Sequence, residues 1–206
     1  VHGLAIDAAG LELIREHGVS LIVCPSSNNF LFGELPDMDL LGGLANIALG
    51  NDSPLTAEGD LLDEIRFAIR TCGIAPCAVY RMVTAAPAAI FRLGDGEGAI
   101  KVSGVGDLIA IRDTSQNVAE RLRTLSMMDV EFVMVGGVVQ LASEAILKRL
   151  PSSIRQGLEP LWIDGIVRWL RAPVEKLLRQ TEEVLGVGEV RLGNRRVRLP
   201  ESEQSL

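Results

Sequence analysis

Two short apolar runs do most to limit what this chain can fold into. They are "LIVC" at 21–24, closed by Pro25, and "ANIAL" at 45–49, followed at once by "GND" at 50–52. Neither alternates apolar with polar residues, so each reads as a strand buried on both faces, the habit of parallel sheets. Parallel neighbours need a crossover, usually a helix. Residues 8–17, "AAGLELIREH", supply one, with Ala8, Leu11 and Ile14 at helical spacing and Gly18 as a stop. Residues 60–73, "DLLDEIRFAIRTCG", supply another through Leu61, Leu62, Ile65, Phe67 and Ile69. The Ser-, Asn- and Gly-rich stretch 26–35 reads as a loop, with a short helical turn after it. The first part of the chain is thus expected to be a run of βα units. In such folds the loops at the carboxyl ends of the strands carry the chemistry. Here those loops hold His2, the "PSSNN" run and Asp52.

The remainder reads differently. Residues 75–94 are expected to be helical, with a break at Pro87. "GAIKVSG", "GDLIAIRD", "VEFVMVGG" and "VVQLA" then read as short strands with glycine turns, a small antiparallel or mixed sheet. After it, Pro173 suits a helix start for "PVEKLLRQTEEVLG", and "EVRLG" with "RRVRL" suit a hairpin. Three segments are therefore expected: an α/β part at 1–93, a small β domain at 94–142 and a helical and strand-like extension at 143–206.

Composition removes several function classes. The hydrophobic share of 48% supports a sizeable core. Net charge is −7, aromatic residues make up 4%, and basic residues cluster only near the C-terminus, which argues against nucleic acid as a partner. No apolar run is long enough to span a membrane. Three cysteines, Cys24, Cys72 and Cys77, without a visible leader, suggest a reducing cytoplasm. The Cys72 and Cys77 pair lacks the partners of a structural zinc site and reads as small hydrophobes. "GDGEG" at 94–98 precedes a strand rather than a helix, so it reads as a turn, and a flavodoxin-like nucleotide binder finds no phosphate loop. Ser26 and Ser27 lack the G-x-S-x-G context of a nucleophile, and His17 sits near a helix end, where the dipole accounts for it.

His2 and Asp52 remain. By spacing, His2 lies at the end of a strand preceding the first helix. Asp52 follows an apolar strand, where a carboxylate can bind a cation or take a proton from a bound water. Zinc lowers the pKa of such a water to about 7. A plainer reading makes Asn51, Asp52 and Ser53 a turn cap. Asn28 and Ser53 are candidates for a substrate loop, with Asn28 also suited to bonding loop backbone. Phe30 and Phe32 read equally as walls for a flat ring or as packing. Glu58 and Asp60 read as a favourable charge arrangement at a helix start.

The blocks "HG" at 2–3, "GVSLIVCPSSNNFLFG" at 18–33, "ANIALGNDSP" at 45–54, "DLLDEIRFA" at 60–68, "MVTAAPAAIFRLGDGEGAIKVSGVGDLIAIRD" at 82–113 and "VMVGGVVQ" at 133–140 follow one another in a familiar order. Together they resemble the C-terminal part of the amidohydrolase superfamily, in its chlorohydrolase and aminohydrolase branch, which includes guanine, cytosine and S-adenosylhomocysteine deaminases. That resemblance covers residues 1–140. It implies part of a metal-dependent (β/α)8 TIM barrel followed by a small β domain. His2 would end strand six, Pro25 close strand seven and Asp52 end strand eight. By the same resemblance Asp52 would be a metal ligand and proton shuttle. His2 would stand beside the metal, orienting water or substrate, or be a ligand itself in two-metal members. Asn51 stands where a Thr is common.

What the resemblance implies for function is a hydrolase of non-peptide carbon–nitrogen bonds using a metal-activated water, a deaminase or aminohydrolase. Its substrate would be a small molecule such as a nitrogen heterocycle. Zinc is the default metal, with iron, manganese or nickel as alternatives. The family's paired histidines on strand one and its histidine on strand five have no counterpart here. The chain is therefore expected to be a fragment that begins at the end of strand six. Its foremost partner would be the missing N-terminal part, alongside a homo-oligomeric arrangement. Alone it is expected to fold poorly, hold metal weakly and turn over nothing measurable. The alternative is a non-catalytic amidohydrolase-like scaffold or assembly module.

Overall fold

The computed structural model describes residues 1–114 and 117–200. It divides into two units, one formed by residues 1–105 and 113–126, the other by 106–112 and 127–206. No helix among the described residues is long and apolar enough to cross a membrane.

The first unit is built on two parallel strands, β1 (Leu21–Val23) and β2 (Ile47–Leu49), in the register Leu21↔Ile47, Ile22↔Ala48, Val23↔Leu49. Helix α1 (Ala8–Glu16) precedes β1, with Asp7 capping its start and accepting from the Gly10 N–H at 2.8 Å. Between the strands come α2 (Pro25–Phe32) and α3 (Met38–Leu41); after β2 comes α4 (Leu61–Arg70), then α5 (Pro76–Met82) and α6 (Ala85–Ile90). Both strands are almost wholly buried, as their unbroken apolar character requires. Val23, Leu41, Ala68 and Val79 have no exposed surface and fix the centre of this core. The Ile22 carbonyl, which points away from β2, accepts the backbone N–H of His2 at 2.8 Å. The chain's first residues thus lie alongside β1 through one bond rather than as a strand. Gly3 explains why "HG" is needed there: its φ is +82°, and a side chain would press on Leu21 and Leu41 at 3.2 Å.

Three local expectations need correction. Residues 26–35 are not a loop: α2 occupies Pro25–Phe32. Pro25 stands at its first position, where a missing N–H costs nothing, and Gly33 ends it in the left-handed region at φ 65°. The helical stretch after residue 75 breaks at Val83 and Thr84, not at Pro87, which sits within the first turn of α6 and so removes no intrahelical bond. "GAIKVSG" forms turns instead of a strand, with Ser103 at φ 62° and the Val105 N–H bonded to the Asp95 carbonyl at 2.7 Å. "GDGEG" is a turn, as read.

The second unit is one antiparallel sheet of seven strands. Its members are β3 (Leu108–Ile111), β4 (Val130–Val135), β5 (Val138–Ser143), β6 (Glu159–Ile163), β7 (Ile166–Leu170), β8 (Arg191–Leu192) and β9 (Arg195–Arg198). Their order is β3-β4-β5-β7-β6-β9-β8. The residues between 113 and 126, which include α7 (Val118–Arg121), belong to the first unit. Short helices α8 (Glu144–Leu147) and α9 (Ser152–Arg155) follow β5. A longer one, α10 (Val174–Leu185), begins after Pro173 and buries Val174 and Leu178 against Leu161, Ile163, Val190 and Val197. The boundary expected at 142/143 falls inside β5, whose Ser143 pairs with Arg168 of β7. The 143–206 stretch is therefore no separate extension but supplies four strands of the same sheet; its last six residues lie outside the described ones. The boundary expected at 93/94 moves to 105/106. Sheet pairing is non-local, so a partner such as Arg168 for Ser143, beyond two helices and another strand, leaves no mark on local sequence.

Candidate functional site

The carboxyl ends of β1 and β2 gather the polar residues of the first unit. Beyond β1 the chain turns at Pro25 into α2, and the first turn of α2 carries Ser26, Ser27 and Asn28. All three are buried, Ser27 and Asn28 completely. Three consecutive buried polar side chains need partners, and each finds a different one.

Asn28 meets His2. Its Oδ1 lies 2.9 Å from His2 Nδ1, and its amide donates to the His2 carbonyl at 3.3 Å. The pair holds the imidazole ring from both its backbone and its Nδ1 side, and Nε2 makes no hydrogen bond among the described residues. Ser27 meets Asp52. Its hydroxyl donates to Asp52 Oδ2 at 2.6 Å and lies 2.8 Å from the Thr56 hydroxyl, which itself reaches Asp52 Oδ2 at 3.5 Å. Asp52 Oδ1 accepts no hydrogen bond among the described residues. Ser26 meets Glu64 of α4. The Ser26 N–H donates to Glu64 Oε1 at 2.9 Å, and the Ser26 hydroxyl donates to Glu64 Oε2. Cys24, at the cap position of α2, offers no side-chain bond, so Glu64 serves as that cap from a neighbouring helix.

Backbone conformation sets His2 and Asp52, along with Arg92, Ser103, Asp164 and Asn194, apart from the rest of the non-glycine residues described. His2 and Asp52 both have positive φ, 75° and 58°. Non-glycine residues in that region carry strain of roughly 1–3 kcal/mol each and gather at functional sites. Burial raises the Glu64 carboxyl above its ordinary value. It also pushes the Cys24 thiol up to about 11, with the nearby charges of Asp52 and Glu64 acting in the same direction.

Other sequence candidates go elsewhere. The Ser53 hydroxyl accepts the Leu55 N–H at 3.2 Å, the turn cap of the plainer reading. Asn51 donates to the Gly59 carbonyl at 3.3 Å. Phe30 and Phe32 are both largely exposed, and two residues apart on α2 they do not face one another. Asp60 caps α4 in a reciprocal box with Asp63, and Glu58 pairs with Arg70 at 3.4 Å. His17 caps the C-terminus of α1, its Nδ1 3.1 Å from the Leu13 carbonyl. The sequence places Ser26 and Ser27 in the polar run beside His2 and Asp52 without giving them these partners, and it does not single out Thr56 or Glu64. Glu64 was legible, since it falls on the apolar stripe of α4 with Leu61, Ile65 and Ala68.

A carboxylate oxygen and an imidazole nitrogen are suitable donors for a zinc-class metal. A catalytic zinc takes three protein ligands and keeps a fourth position open. Among the described residues no cluster of three or more His, Cys, Asp or Glu could hold a metal. His2 and Asp52 therefore fit a share of such a site and not the whole.

Comparison with known proteins gives this arrangement a setting. Residues 1–140 match the family model described as "Amidohydrolase family". A putative aminohydrolase of Methanothermobacter thermautotrophicus is 32% identical over 112 residues, covering 51% of this chain and 28% of the relative. A 5-methylthioadenosine/S-adenosylhomocysteine deaminase of Natronomonas pharaonis is 28% identical over 156 residues, covering 67% of this chain and 36% of the relative. Among solved structures, an adenosine deaminase from Xanthomonas campestris with bound zinc superposes with a TM-score of 0.60 at 24% identity, covering 68% of this chain and 36% of that one. A triazine hydrolase variant superposes with a TM-score of 0.58 at 17% identity, covering 68% and 34%. The likeness to these two structures is one of fold. The chain spans about a third of the length of the curated relatives it matches.

Proposed function

The chain belongs to the amidohydrolase family, and from that premise we propose that it is the aspartate-bearing part of a metal-dependent hydrolase. The reaction would cleave a non-peptide carbon–nitrogen bond and release an amine or ammonia, as a deaminase does. The observation that carries this reading is Asp52. It follows the carboxyl end of a parallel strand, is held in a strained conformation, and has one carboxylate oxygen fixed by two hydroxyls while the other is left open.

On this reading Asp52 is the metal ligand of this stretch, with His2 beside it, and further ligands come from parts of the protein that its relatives possess and this chain does not span. The metal, when bound, supplies a water acidified to about pKa 7. The chain's own residues then have defined tasks. Asp52 would take the proton of the attacking water and pass it to the departing nitrogen. Ser27 and Thr56 keep Oδ2 in place while Oδ1 works. His2, its ring set by Asn28, turns Nε2 toward the substrate's polar end. The relative named as a 5-methylthioadenosine/S-adenosylhomocysteine deaminase supports a nitrogen heterocycle as substrate. Fold alone would not choose it.

The test is made on the whole protein with purine and pyrimidine amines, by ammonia release and metal content. Asp52→Ala is expected to abolish release and lower metal occupancy. Full activity and full occupancy in Asp52→Ala would remove the proposal and leave the scaffold reading.

A further inference from the structure

We infer that Glu64 is a positioning residue for Asp52, acting through Ser26 on both hydroxyl groups that hold the aspartate. The inference rests on the reading of Asp52 as the working carboxylate.

The argument begins with the placement of Glu64. Its side chain is essentially without solvent, 1% exposed, in the middle of an amphipathic helix. No Lys, Arg or His among the described residues lies within ion-pair distance of it. A buried carboxylate without a counter-charge is expensive, and a well-packed apolar residue of similar volume would be as good or better for stability. Both of its oxygens are instead committed to one residue, Ser26.

Ser26 is a branch point. Its hydroxyl donates to Glu64 and in turn accepts the Glu58 N–H at 3.3 Å. Three segments are thereby tied together: the first turn of α2, the loop between Asp52 and Asp60, and α4. The first two carry the two hydroxyls on Asp52. Ser27 is the next residue after Ser26 in α2, and Thr56 lies two residues before Glu58 in the loop. The two hydroxyls also touch each other, at 2.8 Å. A change at Glu64 therefore moves both donors together, whereas a change at either donor moves one. This gives Glu64 a reach that its distance from the carboxyl end of β2 would not suggest.

Glu64→Gln and Ser26→Ala are the variants to make in the whole protein. Each is expected to lower kcat by about tenfold to a hundredfold with KM little changed, because the reacting group is misplaced rather than the substrate unbound. In a Ser27→Ala/Thr56→Ala background the same Glu64→Gln change is expected to cost less than about twofold more, since the arms it acts through are gone. A purely structural Glu64 would give the same loss in both backgrounds, and that result overturns the inference. A second readout needs no activity. The carbon-13 shift of the Asp52 carboxyl is expected to move in Ser26→Ala in the same direction as in Ser27→Ala. An Asp52 signal that responds to Ser27→Ala but not to Ser26→Ala also overturns it, even if the protein hydrolyses nothing. If Glu64→Gln fails to fold, Ser26→Ala, which removes a single oxygen, carries both measurements.

Discussion

Ser27 Oγ lies 2.6 Å from Asp52 Oδ2, a wholly buried hydroxyl donating to an exposed carboxylate across the mouth of two parallel strands. The geometry ranks the two hydroxyls on this carboxylate. Ser27 is at full hydrogen-bond strength, while Thr56, at 3.5 Å, is at the limit. Ser27→Ala is expected to cost about 1 kcal/mol of stability and about a tenfold loss in kcat. Thr56→Ala is expected to cost less in both. The double variant is expected to fall short of the sum, because the hydroxyls are 2.8 Å apart and share a partner. Denaturant unfolding and steady-state kinetics check this; a Thr56→Ala loss exceeding that of Ser27→Ala would contradict the ranking.

Thiol chemistry separates the three cysteines. Burial pushes the Cys24 and Cys72 thiols up to about 11, Cys24 further opposed by the charge of Asp52 and Cys72 by that of Glu64. Cys77 is exposed. Only the thiolate reacts. At neutral pH one equivalent of an alkylating reagent is expected at Cys77, with Cys24 and Cys72 modified only on unfolding. Peptide mapping by mass spectrometry decides it, and rapid labelling of Cys24 in the folded protein would contradict the burial that shapes the cap of α2.

What the sequence told of this site depended on what local pattern encodes. Unbroken apolar runs ending in Pro25 and Gly50 gave the parallel strands, because burial on both faces leaves no polar position. His2 and Asp52 stood out because they follow those runs. The first turn of α2 was hidden: Ser-Ser-Asn has loop composition, and its helical state depends on a carboxylate from α4, thirty-eight residues away. Pro at the first helical position was the one local clue. The sheet of the second unit was hidden for a related reason. β5 finds its partner β7 only after two short helices and strand β6, so a boundary drawn where the recognisable motifs end fell inside a strand.

Acid is expected to weaken the second unit in a way traceable to Glu131. The Ser143 hydroxyl, bonded to it from the neighbouring strand, holds its carboxyl below the usual value; Arg112 at 2.7 Å and Arg168 at 3.9 Å add to this against the effect of burial. A carboxyl lowered in the folded state gives stability that is present above its unfolded pKa, near 4.5, and lost as pH falls through the lower folded value. Trp162 and Trp169, the chain's two tryptophans, lie on β6 and β7 and report this unit alone. Tryptophan-monitored unfolding of Glu131→Gln is expected to lose part of the acid-side decline of the native chain. An unchanged decline would assign it to other carboxylates.

Glu64 has the opposite sign. Burial raises its carboxyl, so the folded chain holds the proton more tightly than the unfolded one. The stability it lends is complete below the unfolded pKa, near 4.5, and is lost as pH rises through the higher folded value. At neutral pH its charge is a burden on the first unit, and Glu64→Gln removes that burden along with one acceptor for the Ser26 hydroxyl. Measured by far-UV circular dichroism in urea, the native chain is expected to lose stability relative to Glu64→Gln as pH rises above about 4.5, the gap levelling off once the folded carboxyl has ionised. A gap that stays constant across this range would mean that Glu64 is solvated as an ordinary surface acid. If the gap opens as expected while kcat falls, the buried charge lowers stability at the same place where it aids the reaction, the opposition expected of a group kept for function rather than for folding.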